Sequence, residues 1–139
     1  MKHTTLIAAG LALFMSQAAV AADPAKPDSD QSVTLSPVAL PIVVNGQIAN
    51  YIFVTVKVWL TPNADAFALR DKEPYFRDAL VRAAHRTPFV LANDYDRVDE
   101  AKLDASLYRD ALGIAGPGKI QRIQVLSQTA QHHLSSPGK

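Results

Sequence analysis

Ile48-Ala-Asn-Tyr-Ile-Phe-Val-Thr-Val-Lys-Val-Trp-Leu60 contains no glycine or proline and is dense in β-branched and aromatic side chains. That composition suits a pleated, packed strand. Taken alternately, Ile52, Val54, Val56, Val58 and Leu60 point one way, and Tyr51, Phe53, Thr55, Lys57 and Trp59 point the other. The first set is wholly apolar and belongs in a core. The second is mixed and carries a charge, so it is expected to be only partly covered. A buried helix would not segregate Thr55 and Lys57 onto one alternate set. The stretch therefore reads as a long central strand, a scaffold element without reaction chemistry of its own.

Upstream, Val33 to Val44 is extended and apolar but interrupted by Pro37 and Pro41. Proline lacks the amide that a ladder needs, so this is an edge strand or a broken one. Asn45-Gly46 joins it to the central strand, and both residues tolerate positive φ, which marks a hairpin. Downstream, the strand ends near Thr61-Pro62, and Asn63 is placed to cap a helical region. Pro74 forbids one straight helix there. The pattern predicts a short turn over Asp65–Leu69, then a main helix from about Lys72 to Arg86 with Asp71 as its cap and Pro74 early in it. Phe76, Ala79, Leu80 and Ala83 share one face of that helix, with Asp78, Arg82 and Arg86 solvated.

Thr87-Pro88 stops the helix. Phe89-Val90-Leu91 reads as an apolar plug and Asn93–Asp96 as a polar turn. A second helix is expected to start between Val98 and Glu100, capped by Asp96 or Asp99. Leu103, Leu107, Ala111 and Ile114 form its apolar stripe, and Gly113 with Gly116-Pro117-Gly118 ends it. Lys119 to Thr129 is the closing strand, with Ile123, Val125 and Ser127 expected on one face. Ile120 is out of phase with them, which calls for a bulge. The fold class that results is α+β: a small, antiparallel-rich sheet of about three strands packed with two main helices.

The first 22 residues have the form of an export signal. Lys2 and His3 precede an apolar run from Leu6 to Phe14, and Val20-Ala21-Ala22 fits a small-x-small cleavage site before Asp23. The alternative is a short membrane anchor. Either form puts the remainder outside the cytoplasm, so the expected location is periplasmic, free or tethered to the inner membrane. Residues 23–32 read as a flexible linker, 33–131 as one domain and 132–139 as a disordered tail. Removing a leader whose only charge is Lys2 leaves 13 basic and 13 acidic residues. Such a balance gives no global drive toward nucleic acid or anionic lipid, so membrane contact is expected only through an uncleaved leader.

The chain lacks cysteine, which excludes disulfides, thiolate metal sites and thiol catalysis. His85 has no ligand partner at helical spacing, and adjacent His132-His133 in a floppy tail do not preorganise a metal site. Asp94, Asp96, Asp99, Glu100 and Asp104 lack the glycine and ligand spacing of a calcium loop, and capping explains them better. Arg70, Arg77, Arg82 and Arg86 alternate with acids, as a salt-bridged surface does. With no nucleophile-elbow, P-loop or dinucleotide pattern present, the expectation is a non-enzymatic protein without catalytic residues, cofactor or metal. Tyr51, Phe53 and Trp59 are its candidate partner contacts.

The order of these elements resembles the periplasmic domain of the flagellar basal-body-associated FliL family. Val33-Thr-Leu-Ser-Pro37 with Pro41-Ile-Val-Val-Asn45 is similar to that family's leading strand, and Tyr51–Val56 to its long strand. Glu73-Pro-Tyr-Phe-Arg-Asp-Ala-Leu80 is similar to its proline-led helix, and Ile123–Leu126 through Gln131 to its closing strand. The resemblance spans most of Val33 to Gln131. It implies a stomatin-like scaffold fold without catalysis, a place beside the flagellar stator or basal body, protein partners there, self-association, and an influence on motility. That family keeps an uncleaved membrane helix, whereas the leader here has a cleavable form. A soluble periplasmic binding module unconnected to motility is the alternative expectation.

Overall fold

The computed structural model describes residues 30–131; the leader, most of the linker and the tail lie outside them. The central stretch forms one strand, β3 (Gln47–Leu60). It is flanked on one side by β1 (Ser32–Thr34) and β2 (Val38–Val44), and on the other by β6 (Ile120–Ala130), all antiparallel. β1 and β2 follow the same edge of β3 in succession, Ser32 opposite Trp59 and Val38 opposite Val54. They are one edge strand broken at Ser36-Pro37. Leu35 bridges the gap, its amide donating to the Val56 carbonyl at 2.8 Å. The sheet is thus three strands wide, and Ser32, assigned from sequence to the linker, already belongs to it. Asn45 (φ 52) and Gly46 (φ 77) make the β2–β3 turn in the left-handed region, the geometry of a type I′ hairpin.

β3 is followed by α1 (Ala66–Asp71) and α2 (Glu73–Arg86). The cap of α1 is Asp65, whose carboxylate accepts from the Ala68 amide at 3.0 Å. Asn63 does not cap; its Oδ1 lies 2.6 Å from Thr61 Oγ1. Nor does Asp71 cap α2, because α1 runs on through it. Lys72 is at once the end of α1 and the start of α2, and Pro74 falls in the first turn, where its missing amide costs nothing. Phe76, Ala79, Leu80 and Ala83 are buried as expected, and Asp78 pairs with Arg82 at 2.6 Å.

The connection to the last helix holds a second hairpin, β4 (Val90–Leu91) with β5 (Asp94–Val98). Val90–Leu91 of the expected plug and Asp94–Asp96 of the expected turn are therefore strand, while Phe89 is buried as a plug and Asn93 stays in the turn between the strands. Asp94, Tyr95, Asp96 and Arg97 carry no apolar alternation, and tertiary pairing rather than propensity orders them. α3 (Glu100–Ala115) is capped by Asp99, which accepts from the Lys102 amide at 3.1 Å, and it ends at Gly116. Gly113 lies inside the helix instead of ending it.

α2 and α3 lie side by side on the inner face of the sheet. Ile52, Val54, Val56, Val58 and Leu60 meet Phe76, Leu80, Leu103 and Leu107 in one continuous core. β6 joins this core through two bulges. Ile120 pairs with Leu60 but Arg122 with Trp59, so Gln121 is extra; Val125 pairs with Val56 but Ser127 with Thr55, so Leu126 is extra. The first bulge brings Ile120 into phase. The second separates Ser127 from Ile123 and Val125, placing it on the outer face, contrary to the uniform alternation expected.

Candidate functional site

The helices cover one face of the sheet only. No element among the described residues covers the other, which presents the second alternate set of β3. Phe53 is 45% exposed and Tyr51 37%, large fractions for aromatic rings in the central strand of a sheet. Phe53 stands between Ala39 of β2 and Thr129 of β6, and Tyr51 is opposite Pro41. The neighbours of these rings are small or flat, so the rings stand above the surface.

Trp59, at the other end of the same face, is held differently. The register sets Arg122 directly across from it and Gln124 across from Lys57. The Arg122 guanidinium lies 4.4 Å from the Trp59 ring centroid and the Lys57 ammonium 4.8 Å, both within cation–π reach. The indole N–H donates to Gln124 Oε1 at 2.8 Å, and Arg122 donates to the same oxygen at 3.2 Å. One amide oxygen thus fixes ring and guanidinium together. Among the described residues, neither Lys57 nor Arg122 has a carboxylate partner, whereas Arg82, Arg86, Arg97, Lys102 and Arg109 of the opposite layer each pair with one.

The remaining candidates resolve into structural roles. His85 Nδ1 sits 2.8 Å from the Val81 carbonyl on its own helix. Asp96 Oδ1 and the Tyr95 carbonyl both accept from the buried Asn50 side chain at 3.1 Å, tying the β4–β5 hairpin to the sheet. Asp104, on α3, has a partly buried carboxyl. Burial first, and then the neighbouring Glu100 charge, push its carboxyl above the ordinary 3.8, and its Oδ1 has no hydrogen-bond partner. Among the described residues, His, Asp and Glu nowhere gather in threes as a metal site would need, and no helix is long and apolar enough to cross a membrane. The concavities are open. One of about 650 Å³ is lined by Thr61, Tyr108, Gly118 and Ile120, and one of about 400 Å³ between α2 and α3 has Arg82, Arg86 and Arg109 at its rim.

Tyr51, Phe53 and Trp59 therefore share one solvent-facing surface, as alternation requires. Arg122 and Gln124 complete that surface and were not apparent from sequence. Their place beside Trp59 depends on the Gln121 bulge, and only the phase slip at Ile120 hinted at it. No model of a known protein family matches this chain, and no curated protein does.

Proposed function

We propose that this chain is a non-enzymatic accessory or scaffold protein of the periplasm, which holds another protein against the open face of its sheet. The observation that carries this reading is the asymmetry of the two faces. The inner one is sealed by α2 and α3, while the outer one exposes Tyr51 and Phe53 and holds, on Trp59, two cations that have no carboxylate partner among the described residues. Exposed aromatic clusters of this kind mark protein interfaces. The order of elements, with a proline-led helix after a long strand and a closing strand after a Gly-Pro-Gly loop, supports placing the chain with FliL-like proteins. The partner would then belong to the flagellar basal body or stator, and the role would lie in motility. A deletion strain tests this reading: swimming should be impaired, and the tagged protein should co-purify with motor components. Normal swimming with no motor component recovered would reject it. The cleavable form of the leader favours a second reading, a freely diffusing periplasmic binding module without a link to motility. Mass measurement of the exported protein separates a cleaved form from an anchored one.

A further inference from the structure

The strands β1, β2, β3 and β6 contain Lys57 and Arg122 and no acidic residue. Every acid from Asp65 to Asp110 lies in the helices, the β4–β5 hairpin or their caps. The outer face consequently carries Tyr51 and Phe53 at one end and, around Trp59 at the other, charge of positive sign only. The indole ring holds two positive charges on one site, a group that an anion would complete. The ring and Gln124 keep that group assembled in advance, which lowers the ordering cost of binding.

The edges of the sheet are poorly suited to a partner strand. β1–β2 is broken and carries Pro37 and Pro41, and β6 is bulged at Gln121 and Leu126, both devices that blunt edge pairing. What remains is the face, where the backbone is already paired and only side chains can be engaged. Sheet faces are covered by helices or by other sheets. A helix can lay an apolar stripe along Phe53 and Tyr51 without needing backbone partners. Phe53 and Lys57 are four residues apart on an extended strand, roughly 13 Å, or about nine residues of helix.

We infer that the outer face is a docking site for an amphipathic helix of another protein, with an apolar stripe over Tyr51 and Phe53 and a carboxylate, about nine residues along, received between Lys57 and Arg122 beside Trp59. This partner chemistry rests on the reading of the open face as a protein-docking surface, but not on the link to motility.

Trp59 is the only tryptophan of the chain, so its fluorescence reports on the site directly. The full chain is titrated with two synthetic 18-residue amphipathic helices, identical in their Leu/Phe stripe and bearing Glu in one and Lys in the other. The Glu peptide should shift the emission and bind at least tenfold more tightly than the Lys peptide, with an advantage that shrinks at high salt. The double variant Lys57→Glu/Arg122→Glu should reverse the preference, and Phe53→Ser should weaken both peptides; all three positions are on the outer face, and circular dichroism checks the fold. Equal binding of the two peptides, or a preference unchanged by the charge reversal, would overturn the inference. So would an emission shift produced by anionic lipid vesicles but not by the Glu peptide, or one that appears on concentrating the protein alone, which would assign the face to a membrane or to a second copy. Normal swimming of the deletion strain would leave the titration unaffected, so the two readings fail separately.

Discussion

Asn50 and Trp59 lie on one strand and do opposite work. Asn50 points inward, where Ile52, Val54, Val56 and Val58 also point, yet it is polar and only 5% exposed. Its amide nitrogen donates to the Tyr95 carbonyl and to Asp96, and its Oδ1 accepts from the Tyr51 amide at 2.8 Å. Replacing it with Ala strands those partners, and Asn50→Ala should cost about 1–3 kcal/mol in urea unfolding, with proteolysis appearing first in the β4–β5 hairpin. Asp104 sets the pH response. Its folded-state pKa lies above the ordinary 3.8, so the folded protein binds this proton more tightly than the unfolded chain does. Stability then falls as pH rises through the window that begins near 3.8, and the penalty persists at neutral pH. Asp104→Asn should therefore stabilise the protein at pH 7 by a few tenths of a kcal/mol, about what relieving a like-charged i,i+4 pair contributes, and bring no gain at pH 3. A pair of thermal melts at the two pH values checks this.

At the scale of elements, sequence was most informative where one element decides its own form. The alternation of β3, the Asn45-Gly46 turn, the break at Pro37 and the Pro74-led helix follow from local chemistry. Gly46 at φ 77 makes the turn testable: Gly46→Val should cost on the order of 1–2 kcal/mol in chemical unfolding, although a Cβ there would meet no other atom. Asp99→Ala should remove the α3 cap at a cost of about 1 kcal/mol, read from the same curves. Elements that owe their form to neighbours were hidden. β5 is polar throughout its first four residues and becomes a strand only by pairing with β4. The two caps expected at Asn63 and Asp71 failed for one reason: a capping residue type is common near any helix start, and the chain path chooses among the candidates.

On the scale of the molecule, the sequence specified a half-sandwich, one sheet with one layer of helices, because β3 from Ile52 to Leu60 has one wholly apolar face and one mixed face. It could also name the side chains of the open face that come from β3. It could not name those that β6 contributes, since register across strands is set by bulges that leave only a faint trace in hydrophobic phase. The core itself is shared by both layers. Phe76→Ala, which empties a wholly buried ring position between α2 and the sheet, should cost about 3–5 kcal/mol, enough to remove a large part of the stability of a domain this size. Phe53→Ala, across the same sheet, should leave the melting curve nearly unchanged.

The bulges of β6 also bear on how this chain can change length. Removing one residue from a paired strand ordinarily turns every later side chain over, sending buried groups into water. At Gln121 and Leu126 the count runs the other way, because each is the surplus member of a two-against-one pairing. Excising either leaves Ile120, Ile123, Val125 and Gln128 on the sides they already occupy. Single-codon deletions scanned along 119–130 should therefore yield folded protein at the two bulges and fail at Ile123–Val125 between them.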